Sequence, residues 1–377
     1  MGARGGVEIL LTAIIVIFVF SVLILIHEAG HLVAAKRAGV KVEAFSLGFG
    51  KRLCGKEIGG TDYRISMLPF GGYLRMAGED PSEASGGTDE LASKPVGKRF
   101  WVMASGALTN YVFAFILFSV VFMAGIPTLS NEVGEVLKGY PGEASGIKVG
   151  DKILSISGSG TEYWDDIVEA IKKRSLPGEK LDIEIERGAR VLSIKVTPNI
   201  STITNIFGQK ISRPMVGIAP KNKIISVSYN PVQAMYHGGK RLLVLSGMTY
   251  KGIWMLITGG MPMKTSVSGP IGIAHLMGQA AELGIIPLLL ITAHVSMALA
   301  IFNLLPFPVL DGGHIIFLVM EKIKGRPLSV KVQEWITQIA VFALITFAVM
   351  VSWNDIVKFT PLGDRANSEV KVEEAGK

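Results

Sequence analysis

Two histidines four residues apart, with a glutamate beside the first, are the residues here best suited to chemistry: His27-Glu28-Ala29-Gly30-His31. On a helix, positions i and i+4 share a face, so both imidazoles can reach one metal ion. Glu28 then lies beside the metal, placed to handle the proton of a bound water. The chain has six histidines in 377 residues, and chance gives this pattern in fewer than about one such chain in a hundred. Burying two imidazoles and a carboxylate at the end of an uncharged helix costs several kcal/mol unless they are paired or ligate something. Polar side chains snorkelling at a helix end are the plainer alternative.

A catalytic zinc usually takes three protein ligands and a water, so the two histidines are one ligand short. No histidine follows His31 until His237. The run Asn303-Leu304-Leu305-Pro306-Phe307-Pro308-Val309-Leu310-Asp311-Gly312-Gly313-His314 offers a third donor at the end of an apolar span. Pro306 and Pro308 break the helix, so this backbone must line a cavity rather than face lipid. Asp311 is a natural oxygen ligand there. His314 is a rival for the same role, or a supporting or packing residue. His294, in mid-span, reads as bundle-facing and structural, and His237 and His275 carry no metal spacing.

The elements that must position these residues are membrane spans. Ile9 to Ile26 holds no ionisable group, and Phe100–Asn131, Leu283–Leu310 and Trp335–Trp353 contain no Lys, Arg, Asp or Glu. About 20 apolar residues cross a hydrocarbon core, so four spans fit, and mean hydropathy is +0.44. A soluble globular protein is excluded, as are a collagen, a disulfide scaffold and a disordered chain. The single Cys54 forms no internal disulfide. The net charge of +7 comes without the basic, aromatic-interleaved stripe that nucleic acid would require; it fits a protein of the lipid bilayer.

Those positive charges set an expected orientation. Lys36, Arg37 and Lys41 follow the first span, Lys94, Lys98 and Arg99 precede the second, and Lys322, Lys324, Arg326 and Lys331 lie between the last two. The positive-inside bias makes both connecting loops cytoplasmic and both termini extracytoplasmic. It also argues against a cleaved signal peptide. The fold expected is a polytopic α-helical membrane protein of about four spans, with a cytoplasmic-side β-hairpin and one extracytoplasmic α/β domain. Residues 1–41 hold the first span and 42–99 the hairpin, a small sheet of alternating strands, with its loop. Residues 100–130 hold the second span and 131–222 the α/β domain. Residues 223–282 read as an interfacial amphipathic helix and loop, the helix at 231–258 lying on the outer surface or else inserting as a distorted further span. Residues 283–332 hold the third span and a cytoplasmic loop, 333–357 the fourth span, and 358–377 a polar tail.

The sequence resembles the bacterial site-2 proteases, intramembrane zinc metalloproteases of the regulated-proteolysis type. The likeness rests on His27-Glu28-Ala29-Gly30-His31, on Asn303…Pro306…Leu310-Asp311-Gly312, and on Gly48-Phe49-Gly50 and Leu68-Pro69-Phe70-Gly71-Gly72-Tyr73. It covers about residues 7–360; Lys51 stands where the family often has proline. The resemblance implies a bacterial cytoplasmic (inner) membrane location, Zn2+ held by His27, His31 and Asp311, Glu28 as general base, and Asn303 near the scissile bond. The outer domain resembles a permuted PDZ module through Tyr140-Pro141-Gly142-Glu143-Ala144-Ser145-Gly146-Ile147, Val149-Gly150-Asp151-Lys152-Ile153-Leu154-Ser155-Ile156, Glu186-Arg187-Gly188 and Val196-Thr197-Pro198.

The substrates implied are transmembrane segments of single-span proteins, such as anti-sigma factors or signal-peptide remnants, after a first extracytoplasmic cut. The PDZ-like module would take peptide C-termini or screen substrates by bulk. An unwound substrate could add as a strand to the hairpin at 42–76, with Gly71 and Gly72 letting the backbones approach closely. Two rivals stand beside this reading. A catalytically inactive membrane PDZ scaffold would need neither the His pair nor Asp311. A membrane metal transporter would place ionisable groups in the middle of several spans.

Overall fold

The computed structural model describes residues 2–80, 85–174, 179–204, 210–261 and 267–359. Helix α1 (Gly2–Ala38) leads into strands β1 (Val42–Ile58) and β2 (Thr61–Met76), followed by α2 (Val96–Ala124). A β-rich stretch follows, and then α5 (Pro231–Ile257), α6 (Pro270–Glu282), α7 (Ile285–Asn303), α8 (Asp311–Lys324) and α9 (Val330–Phe359). Among the described residues four helices are long and apolar enough to cross a membrane: Leu10–Ala38, Val96–Ala124, Ile285–Asn303 and Val330–Lys358. The most apolar windows of the second and third are 39% buried, against 11% for the first and last. Helices α2 and α7 are therefore the inner pair, and α1 and α9 turn most of their side chains outward, as lipid requires.

Apolar side chains gain little from one another inside a bilayer, so the helices are joined by small residues and hydrogen bonds. The Ser296 hydroxyl of α7 donates to the Asn110 carbonyl of α2 at 2.8 Å. Gly30 of α1 lies where any Cβ would strike the Ser105 carbonyl of α2 at 2.5 Å. The buried Asp355 carboxylate of α9 accepts from Gly269 and Gly272 N–H at 3.0 and 2.8 Å, capping the start of α6.

Helix α5 packs on α2, and among the described residues it is not one of the four helices long and apolar enough to cross a membrane. It runs antiparallel along α2, with Gly238 against Ser119 and the Ser246 hydroxyl 2.9 Å from Tyr111 Oη. Its Leu242, Leu245 and Ile253 pack with Phe118, Met297 and Ile301. The Gly238-Gly239 pair, which looked like a break, is a notch that admits α2; the missing side chains permit the approach and the helix continues through it.

The hairpin is also more elaborate than two paired strands. Residues 44–47 of β1 pair on one side with 62–65 and on the other with 72–75, while 52–58 pairs back onto 61–66. Four extended segments result, with 52–58 at one edge and 72–76 at the other. Core residues Val40, Val42, Leu74 and Met76 pack with Val102, Met103 and Leu318, so the 72–76 edge stands beside α2 and α8.

The chain forms two compact units. One takes α1, the sheet, most of α2 and α5, and α6 to α9; the other is Phe122–Pro231 with Met255–Met261. The second unit contains β3 (Ile126–Leu129), β4 (Val133–Val136), α3 (Pro141–Ala144), β5 (Lys152–Ile156), β6 (Ser159–Gly160), α4 (Trp164–Arg174), β7 (Leu181–Arg187) and β8 (Arg190–Val196). Strands β9 (Asn199–Thr204), β10 (Lys210–Met215), β11 (Ile218–Pro220) and β12 (Ile224–Val227) complete it. Its four-stranded sheet has the order β6-β5-β7-β8, and β12 pairs with β3. That last pair closes the entry and exit of the unit, which is why it reaches beyond the expected limits of 131 and 222. Ile153, Ile156, Ile183 and Ile185 are fully buried in its core with Trp164 and Ile167.

Candidate metal centre

Helix α1 presents His27 and His31 toward α2, and α2 meets them with a glycine. A Cβ on Gly106 would overlap His31 Nε2 and come within 2.7–2.8 Å of His27 Cε1 and Nε2. The space that a side chain would fill is thus given to two imidazoles. The third group arrives from α8. Between α7 and α8 the chain turns sharply, and a Cβ on Gly312 or Gly313 would collide with the backbone of Leu304 and Leu305 or of Phe307 and Pro308. Those glycines let the first turn of α8 tuck beneath the proline loop. Asp311 opens that helix, where the positive end of the dipole favours a carboxylate. Further along, Arg99 of α2 holds Glu321 of α8 through a two-pronged ion pair, one bond being 3.0 Å.

His27 Nε2, His31 Nε2 and Asp311 Oδ2 form a triangle with sides of 3.2, 3.3 and 3.5 Å. Tetrahedral zinc with nitrogen and oxygen ligands at about 2.0–2.1 Å requires neighbouring donors about 3.3–3.4 Å apart. The spacing of the three atoms therefore fits one face of such a tetrahedron. The buried Asp311 Oδ2 has no hydrogen-bond partner, a costly vacancy unless an ion satisfies it. His31 Nδ1–H donates to the Val102 carbonyl at 2.7 Å, which fixes the tautomer and aims the Nε2 lone pair at the centre. Burial pushes the Asp311 carboxyl up, but the two imidazoles prevail and bring it down to about 2. It stays anionic, as an oxygen ligand must.

Around this triangle lies a cavity of about 230 Å³, lined by Glu28, Tyr73, Leu74, Met76, Glu79, Met103 and His314 among others. Glu28 is absent from the cluster of possible ligands; its Oε2 accepts instead from Leu74 N–H at 3.1 Å. Glu79 Oε2 accepts from Met76 N–H at 3.3 Å, and burial raises its carboxyl above the usual range. His314 lines the wall beside the triangle, its imidazole pushed down by burial. His294 Nδ1 bonds its own helix at the Leu290 carbonyl, 2.6 Å away, and its ring meets Phe118 edge-on.

The other sequence-selected residues stand further out. Asn303 ends α7 and is not part of the cavity wall. Gly71 has φ of +80°, and a Cβ there would press on Phe49 and Ile24. A Cβ on Gly72 would strike the Ser46 carbonyl at 2.6 Å. The close approach these glycines permit is thus within the sheet and to α1. Sequence reasoning missed Gly106, whose only signal is a glycine in an uncharged span, and Glu79, which looked like one more acid in a polar loop.

The model of peptidase family M50 matches residues 15–347. A protein of Campylobacter jejuni named as a zinc metalloprotease is 32% identical over 93% of this chain and 94% of its own length. The zinc metalloprotease RasP of Geobacillus kaustophilus is 30% identical over 94% of this chain and 99% of its own. The regulator of sigma-E protease RseP of Salmonella typhimurium is 28% identical, with 90% and 97% covered.

Proposed function

Since the chain belongs to peptidase family M50, the site-2 proteases, and is a zinc metalloendopeptidase of the membrane, we propose that it cuts transmembrane segments of single-span proteins in regulated intramembrane proteolysis. The observation that carries this is the triangle of His27, His31 and Asp311 at zinc spacing, with a carboxylate outside the triangle, Glu28, on the same cavity. We assign the three as the zinc ligands and Glu28 as the general base. Zinc, when bound, supplies a Lewis acid for the scissile carbonyl and acidifies water. Glu28 takes the proton of the attacking water and passes it to the leaving amine. Asn303, at the end of α7, is assigned to the substrate backbone near the scissile bond.

A helical substrate hides its peptide bonds in its own hydrogen-bond ladder, so it must unwind first. An unwound segment can then add as a strand to the sheet at 42–76. Anti-sigma factors are the favoured substrates because a relative is named as a regulator of sigma-E; remnants of signal peptides share the same chemistry. We place the protein in the bacterial cytoplasmic (inner) membrane, with the centre toward the cytoplasm and residues 131–222 outside as a PDZ-like domain. That domain takes peptide C-termini or screens substrates by the bulk left after a first cut.

The experiment pairs two model helices, one short-tailed and one carrying a bulky outer domain, against three enzymes in lipid vesicles. The intact enzyme cuts the short-tailed helix only. Glu28→Gln binds about one zinc yet cuts neither, a loss of at least about 10²–10⁴-fold. Removal of 131–222, with the ends rejoined, allows both to be cut. Cleavage by Glu28→Gln overturns the catalytic assignment, and loss of short-tailed cleavage on removal overturns the filter.

A further inference from the structure

Strand β2 ends on the segment Gly72–Met76, which pairs with β1 along one side only, through Leu47↔Gly72, Phe45↔Leu74 and Val42↔Met76. An edge strand carries a row of unpaired N–H and C=O groups along its outer side. Groups two residues apart point the same way, and here those of Leu74 and Met76 face the zinc cavity. Neither N–H is left open. Leu74 N–H is taken by Glu28 Oε2 at 3.1 Å and Met76 N–H by Glu79 Oε2 at 3.3 Å. Two carboxylates from different elements, α1 and the loop after β2, thus sit where the carbonyls of an added strand would sit. One of them is the group that must be free to receive a proton.

We propose that this edge is capped at rest by Glu28 and Glu79, and that the carbonyls of an unwound substrate displace both carboxylates as the new strand forms. Seating the substrate backbone on Leu74 and Met76 releases Glu28 to the attacking water. Glu79 is a positioning residue: it keeps the second donor of the edge occupied until a strand in the right register replaces it. The inference rests on the strand-addition reading given above, and it explains how a half-buried base can idle beside a metal centre until an extended backbone arrives. A helical segment presents no such row of carbonyls and leaves both caps in place.

The test uses the full chain in lipid vesicles with a single-span model peptide, in two arms. In the first, Phe70→Cys, on the exposed side chain that leads into this edge, is cross-linked to peptides carrying a cysteine at successive positions, in the Glu28→Gln enzyme. A cross-link confined to the extended region of the peptide supports docking on this strand. None at any position overturns strand addition and the capped edge together. The second arm tests the caps themselves. Glu79→Ala removes a competitor worth one hydrogen bond, so KM should fall about threefold while kcat stays within about twofold and zinc is retained. Glu79→Gln keeps an acceptor for Met76 N–H and should lie between Ala and the parent. Among inactive enzymes, Glu28→Ala should bind the peptide about threefold more tightly than Glu28→Gln for the same reason. Successful cross-linking with an unchanged or raised KM in both Glu79 variants overturns the capped edge alone. If Glu79→Ala loses zinc, the Gln variant decides, and a KM equal to the parent's counts against the proposal.

Discussion

The metal centre and the core of the second unit are both buried, and they are built in opposite ways. Around Ile153, Ile156, Ile183 and Ile185 the chain fills space with branched apolar side chains, and water supplies the driving force. Around His27, His31 and Asp311 it empties space with glycines at 30, 106, 312 and 313, and hydrogen bonds and ion pairs hold what meets there. The first strategy tolerates small losses of volume in proportion to the methylenes removed. The second tolerates almost no gain, because the missing Cβ atoms would meet backbone at Gly312 and Gly313, the two imidazoles at Gly106, and both the Ser105 carbonyl and the Thr109 hydroxyl at Gly30. The two regions should therefore respond to substitution with different size and different readout.

The largest effects belong to the three proposed ligands. His27→Ala, His31→Ala and Asp311→Ala should each lose the single zinc, measured as metal per chain, and all measurable cleavage. His294→Ala, which removes a ring bonded to its own helix and set edge-on to Phe118, should retain the metal. Full zinc in Asp311→Ala would move the third ligand to His314.

Next in size is the empty space itself. Gly106→Ala puts a methyl group onto His31 Nε2, the proposed ligating atom, and against His27. Zinc content should drop by at least about half and activity by about 10²-fold, although alanine is the better helix former. Normal zinc in this variant would show that α1 and α2 can part without cost.

These differences also explain what the sequence revealed. The four spans and the spacing of His27 and His31 were legible because hydrophobic run length and helical period are local properties. Asp311 was legible as a candidate because two prolines and two glycines around a carboxylate have few structural uses in a span. Its placement within reach of both imidazoles, which favours it over His314 in the proposed ligand set, needed three-dimensional distances. Gly106 and Glu79 were not legible, since each acquires its role from a partner far along the chain. For α5, charge and the Gly238-Gly239 pair pointed to a surface helix, while its packing on α2 depends on Ser119 and Tyr111, which no local pattern relates to it.

In the second unit the same removal of volume should be milder and should show in that unit's own stability. Ile183→Ala, at a fully buried position of β7, should cost about 2–4 kcal/mol of that unit's stability. Zinc content and cleavage of a short-tailed helix should not change, as read by calorimetry beside a metal assay. Loss of zinc in this variant would deny the independence of the two cores.

The smallest effect concerns the ion pair that joins the ends of β5 and β7. Asp151, 1% exposed, meets Arg187 Nε and Nη2 at 2.7 Å each and accepts from Lys148 N–H at 2.8 Å. Burial alone would raise this carboxyl, but the guanidinium and the backbone donor outweigh it and hold it below the usual carboxylate range. A carboxylate whose folded pKa is depressed stabilises the fold fully above its unfolded value of about 3.9 and loses that contribution as pH falls through the folded value. Arg187 is 33% exposed, so solvent screening reduces the pair to about 1 kcal/mol. Asp151→Asn should therefore lower the transition of this unit by about 4–8 °C at pH 7. The same difference should hold at pH 5 and shrink below about pH 4, where the parent protonates and the asparagine does not. Salt should narrow the gap at pH 7 as well. A gap that stays constant from pH 7 to pH 3 would assign the loss to the shape of the turn at Gly150 and Asp151 rather than to charge.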